Sequence, residues 1–181
     1  MDERELILKV RSGDRDAFGE LVKLNQKRIF SAIYRLLRNY EDAVEITQDA
    51  FIRAYQAIKG FRLRSQFSTW LYRIALNLSY RRLRSREYKI KLKTKSLEES
   101  HLQIPFFSTP YQEILTKEQR ELIYHGLVTL PQKFYSVIVL HDLEGLSYKE
   151  IAKIQGCSLG TVMSRIHRAR LKLAKRLKKL E

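Results

Sequence analysis

The sequence predicts an all-α fold: two small helical domains joined by a linker, the C-terminal one carrying a helix-turn-helix. Three observations carry this expectation. Apolar residues recur at helical spacing over long stretches, from Ala17 to Leu37 and from Tyr40 to Ile58. Runs that alternate like strands are few, and only seven glycines and three prolines punctuate the 181 residues. From Glu87 to Pro110 the periodicity lapses into a Lys- and Ser-rich segment holding Pro105 and Pro110. The expected divisions are therefore 1–86, a linker at 87–110, and 111–181.

A first helix pair is expected to begin at Asp2 and again near Asp14. In the second of these, Phe18, Leu21, Ile29, Ile33 and Leu37 share one side, and Asn39 suits its end. Tyr40–Ile58 comes next, with an apolar stripe through Ala43, Ile46, Ala50, Phe51, Ala54 and Ile58; Gly60 stops it. Its first half carries Glu41, Asp42, Glu45 and Asp49, where a helix dipole favours negative charge. From this segment alone, ordinary solvation of an amphipathic helix is the better account of these carboxylates.

Phe61–Gln66 reads as a loop, and Ser68 as the cap of a helix running to about Arg84. Trp70, Leu71, Ile74, Leu78 and Leu83 would face inward. From Phe61 to Lys95 eleven cations stand against the single anion Glu87, interleaved with Phe61, Phe67, Trp70, Tyr72 and Tyr80. Cations meet phosphates and aromatic faces stack unpaired bases, a combination suited to melted nucleic acid. Several of these rings, Trp70 and Phe67 first, also suit the core.

In the last third, Ile114–Leu127 has helical spacing, Pro131 suits a helix start, and FYSVIVLHDLEG predicts a short apolar helix ending at Gly145. Then Ser147 and Glu150 fit a capping box. Ile151, Ala152 and Ile154 form an apolar side, and Gly156 suits a left-handed turn. Ser158 can cap a second helix that buries Val162, Ile166, Ala169 and Leu173. Thr161, Ser164, Arg165, His167 and Arg168 fall mostly on its other faces. This is the layout of a helix-turn-helix that offers polar side chains to a DNA major groove. A plain helical hairpin with a solvated basic face shares the same spacing.

Lys and Arg total 35 against 20 Asp and Glu, a net charge of +15 that points to a polyanionic partner. Cys157 is the only cysteine, so no internal disulfide forms, as suits a reducing compartment. MDERELILKV lacks the apolar core of a signal peptide, and no apolar run is long enough to span a bilayer. The four histidines are scattered without ligand spacing, no phosphate-binding loop occurs, and the His141–Asp142 neighbours alone make no triad. No metal, cofactor or catalytic residue is expected.

Assembled, the chain resembles the extracytoplasmic-function sigma factors of bacterial RNA polymerase, of the sigma-70 superfamily. The resemblance rests on DAVEITQDAFIRAYQAI at 42–58, FSTWLYRIALN at 67–77, LPQKFYSVIVLHDLEGLSYKEIA at 130–152 and GTVMSRIHRAR at 160–170. It implies regions 2 and 4 as the two domains, with core RNA polymerase and promoter DNA as partners and no catalytic centre. An anti-sigma factor is implied as well. Residence is then cytoplasmic, without membrane insertion, and near the membrane where the anti-sigma factor holds it. By the resemblance, Glu41, Asp42, Glu45, Gln48, Asp49 and Arg53 face the core enzyme. Phe61, Arg64, Phe67, Tyr72, Asn77, Tyr80, Arg81 and Arg82 read and open the −10 element. Ser158, Thr161, Met163, Ser164, Arg165, His167 and Arg168 read the −35 element. Two positions depart from the commoner family pattern: Met163 stands where many relatives carry Arg or Lys, and Arg81 where many carry an acid. No promoter sequence is therefore assigned. An operator-binding regulator would explain the C-terminal motif but not the acidic helix or the aromatic and basic stretch. A basic helix lying on anionic lipid conflicts with a place inside the helix-turn-helix.

Overall fold

The computed structural model describes residues 2–85, 122–123, 125–127 and 129–178, and divides into two compact units. All regular structure among these residues is helical. The linker expected at 87–110 and the helix start expected at Ile114 lie outside them.

The N-terminal unit comprises α1 (Glu3–Arg11), α2 (Arg15–Leu37), α3 (Tyr40–Ala57) and α4 (Phe67–Arg84). Asp2 and Asp14 precede the first two helices as expected; the Asp14 carboxylate accepts from the amides of Asp16 and Ala17. The α2–α3 junction differs from expectation. Arg38, not Asn39, closes α2, in a left-handed conformation (φ 55°) with its N–H on the Tyr34 carbonyl. Asn39 instead opens α3, its side chain accepting from Asp42 N at 2.9 Å. Asn is a strong N-cap, and where two helices almost abut it serves the later one.

After α3 a single 3₁₀ turn, Ile58–Gly60, leads into the loop. Helix α4 begins at Phe67, so Ser68 does not cap it. Phe67 N donates to Glu3 Oε1 at 2.7 Å, a cap supplied by α1. The core is aromatic where α2, α3, the loop and α4 meet. Phe18 packs edge-on to Phe51 and Phe67, Phe67 edge-on to Phe61, and Phe61 stacks on Trp70 at 4.7 Å. Burying one such ring is worth about 1.5–3 kcal/mol. Polar Asn25, Thr47 and Ser79 are buried, and each bonds a carbonyl one turn earlier on its own helix.

The C-terminal helices are α5 (Gln132–Ile138), α6 (Tyr148–Gln155) and α7 (Leu159–Leu177). The stretch from Phe134 to Leu140 is buried on every side, as a central helix must be. The sequence predicts one α-helix as far as Gly145. Instead the helix widens at Val139–Leu143, where Glu144 N reaches the Val139 carbonyl five residues back. Gly145 (φ 70°) then turns the chain, and α5 packs against α7. The helical residues 125–127 also lie close to α7: a Cβ on Gly126 would sit 2.8 Å from Leu173 Cδ1.

Candidate nucleic-acid interface

The helix-turn-helix is built as its sequence predicts. The Ser147 and Glu150 side chains cap α6 reciprocally, with Ser147 N donating to Glu150 Oε2 at 2.8 Å. Gly156 closes α6 at φ 63° and ψ 39°, a region that other L residues enter at a cost. Ser158 Oγ accepts from Thr161 N at 3.2 Å and starts α7. Val162, Ile166 and Ala169 are buried, so the opposite face of α7 is fixed outward. That face is a stripe at helical spacing: Gly160, Met163, Ser164, His167, Arg168 and Leu171, all exposed.

Of the residues expected to read the −35 element, Met163, Ser164, His167 and Arg168 lie on this stripe. Ser158 and Thr161 are engaged in the cap, their hydroxyls 2.8 Å apart. Arg165 is half-buried and its guanidinium reaches back to Cys157 Sγ at 3.8 Å. Arg170 pairs with Asp142 at 2.5 Å. That hydrogen bond raises the Arg170 pKa above its ordinary value. The His141 ring meets the Leu146 carbonyl at 2.9 Å, in keeping with a packing role.

On α3, Glu41, Glu45, Gln48, Asp49 and Arg53 share the outward face, with exposed Ile52 in their midst. Asp42 is buried. It faces Arg82 of α4, whose guanidinium lies 3.5 Å from Asp42 and also pairs with Glu45. The residue expected on −10 DNA is thus tied, in this state, to two residues expected on the polymerase.

The loop and α4 carry the remaining expected residues. Phe61, Phe67 and Tyr72 are buried, so their rings form core rather than a free stacking surface. Arg64, Asn77 and Arg81 are exposed, and Tyr80 is half-exposed. Arg73, Asn77, Arg81 and Arg84 stand at i, i+4, i+8 and i+11, one exposed face bearing three cations and an amide. Arg73 and Arg84 were not among the expected site residues, although the four-residue spacing was readable. Arg62 of the loop is exposed too. The loop entry is held by Arg11 of α1, which donates to the carbonyls of Ile58 (3.1 Å) and Phe61. Leu63 adopts a left-handed conformation (φ 54°), uncommon for a bulky residue and a mark of a constrained loop. Among the described residues no cluster of His, Cys, Asp or Glu is placed to hold a metal ion, and no helix is long and apolar enough to cross a membrane.

Two family models match this chain: Sigma-70 region 2 over residues 21–88, and Sigma-70, region 4 over residues 120–173. The ECF RNA polymerase sigma factor SigW of Bacillus subtilis is 36% identical, covering 98% of this chain and 97% of its own. The ECF RNA polymerase sigma-E factor of Escherichia coli K12 is also 36% identical, over 94% of this chain and 91% of its own. Among solved structures, CnrH in complex with the cytosolic domain of CnrY is similar, with a TM-score of 0.70, 27% identity, and 98% and 97% of the two chains covered. So is the sigma factor RpoE bound to the anti-sigma factor NepR from Bartonella quintana, with a TM-score of 0.67, 26% identity, and 89% and 96% covered.

Proposed function

The chain belongs to the extracytoplasmic-function sigma factors of the sigma-70 superfamily, and from that membership we propose how its two units divide the work. The protein binds core RNA polymerase and directs it to promoters through the −10 and −35 elements, aiding DNA melting. Its family consists of DNA-recognition proteins rather than enzymes, and we assign no catalytic residue.

In our reading the exposed α3 face of Glu41, Glu45, Gln48, Asp49 and Arg53 meets the core enzyme. Arg62, Arg64, Arg73, Asn77, Tyr80, Arg81 and Arg84 engage the −10 region. Met163, Ser164 and His167 read the −35 element and Arg168 binds beside them, while Ser158 and Thr161 hold the helix at its working angle. Phe61, Phe67 and Tyr72 act from beneath by shaping the loop. Asp42 acts through Arg82. The domain limits are 1–86 and 111–181. An anti-sigma factor is the natural restraint on such a protein, and complexes of that kind exist for a similar structure. We place the protein in the bacterial cytoplasm, near the membrane where its anti-sigma factor is anchored there.

The observation that carries this reading is the presence, in one chain, of an acid-faced α3 and an arginine-faced α4 beside a helix-turn-helix. An operator-binding regulator uses only the last. The test is run-off transcription by bacterial core polymerase on a pooled promoter library, with and without the protein, with sequencing of the transcripts. Initiation at promoters sharing motifs near −35 and −10 is expected. Tight duplex binding by the protein alone, with no initiation, would overturn the reading.

A further inference from the structure

The outward stripe of α7 contains an apolar step where a groove-reading helix ordinarily carries polar groups. Met163 is 51% exposed, and Leu159, one turn earlier, is 41% exposed. Neither is needed for packing, because Val162, Ile166 and Ala169 already fill the inner face at no more than 2% exposure. Single exposed apolar residues are common on protein surfaces. This pair differs in its place. The two residues are i and i+4 on the first turns of the second helix of a helix-turn-helix, the part that meets base edges. Ser164, His167 and Arg168 flank Met163, and no acid occupies the first turn to repel DNA. Gly160, between them in sequence, leaves the helix start bare: a Cβ there would meet nothing within 4 Å. Arg165 is turned back toward Cys157 and does not shadow the patch.

A major groove offers one apolar group for such a patch. Guanine and cytosine present polar edges, whereas thymine presents its C5 methyl. A methionine side chain, unbranched and polarizable, adapts to a methyl group better than a fixed branched one. We propose that Met163, with Leu159 as its shoulder, determines specificity by contacting a thymine methyl in the −35 element. The inference rests on α7 being the −35 reader. It implies an A·T pair at one step, read by burial and not by hydrogen bonding. Arg168 and His167 supply the polar contacts beside it.

The test uses holoenzyme reconstituted from core polymerase and the full chain. The preferred −35 element is first obtained from the pooled library. Each thymine in it is then replaced singly by deoxyuridine, which removes the C5 methyl and nothing else. At one position the substitution should lower promoter occupancy by about four-fold, the worth of one buried methyl-sized group. Met163→Ala should abolish that sensitivity, and Met163→Leu should keep most of it. An unchanged helical circular-dichroism signal and melting profile show that the variants are folded, the C-terminal unit included. A preferred element without thymine, a wild type indifferent to deoxyuridine everywhere, or a sensitivity that survives Met163→Ala would each overturn the role of Met163 while leaving the sigma reading intact. A wild type that initiates nowhere in the library would overturn the sigma reading itself.

Discussion

Glu3 and Phe67 are 64 residues apart in sequence, yet the Glu3 carboxylate accepts the first free amide of α4 at 2.7 Å. An N-cap is worth about 1 kcal/mol, so Glu3→Ala should destabilise the N-terminal unit by roughly that much, and Glu3→Gln by less. Trp70 is the only tryptophan and lies in that unit, so urea unfolding monitored by its fluorescence reads this unit alone. At Gly156 the question is conformational. Its φ is 63° with open space around it, so Gly156→Ala meets no clash, only the strain of a left-handed backbone. That costs about 1 kcal/mol and should appear as faster amide exchange in α6 and the start of α7. The two residues also separate what sequence can reveal from what it cannot. Gly156, Ser147 and Ser158 act within a few residues of themselves, so their roles were legible. The α4 cap comes from a distant helix, and a local reading could only nominate the nearest hydroxyl, Ser68.

Between α3 and α4, Arg82 joins two surfaces that the family resemblance keeps apart. Its guanidinium faces a carboxylate that is only 6% exposed, Asp42, and also holds the more open Glu45. Removing one partner of a buried pair costs about 3–5 kcal/mol, and exposed pairs cost at most about 1. Arg82 is itself 26% exposed, so Arg82→Ala should fall between, at roughly 1–3 kcal/mol by the Trp70 signal. Arg81→Ala, on the exposed face, should leave stability within about 0.5 kcal/mol. Lost transcription in the Arg82 variant therefore needs the fold control, whereas loss in the Arg81 variant reports a lost contact. The helices themselves were legible because burial imposes a period near 3.6 on their sequence. Which arginine is solvent-facing was harder to read. Arg81 and Arg82 are adjacent, yet point to different faces, and only the carboxylates packed opposite decide which is engaged. The wide turn at Val139–Leu143 was missed for a related reason: the stretch that leads into it, Phe134–Leu140, is buried on every side and sets no periodicity whose change could be seen.

Across the whole molecule, charge is apportioned by task. The net +15 coexists with a helix whose outward face carries Glu41, Glu45 and Asp49. A protein that only bound DNA would gain nothing from such a face, since carboxylates near phosphates lower affinity. Two substitutions separate the tasks. Asp49→Lys reverses charge on α3, so it should weaken core polymerase binding and lower output from every promoter alike. A titration of labelled protein with core enzyme checks the first part, and unchanged affinity would reject α3 as the docking face. Arg168→Ala, on the outward stripe of α7, should leave core affinity alone and weaken use of the −35 element. Salt then tells its two possible contacts apart. If Arg168 meets a phosphate, its loss should flatten the dependence of promoter binding on log salt by about one unit and weaken all −35 sequences together. If it reads a guanine edge, its loss should relax preference at one base pair, at about 1–3 kcal/mol of discrimination. The stripe places Arg168 one turn beyond Ser164, toward the later part of the helix. Base edges are met chiefly by the N-terminal residues of a recognition helix, and the groove wall by residues further along it. The expected outcome is therefore the phosphate pattern: a shallower salt slope, preserved sequence preference and full affinity for core polymerase.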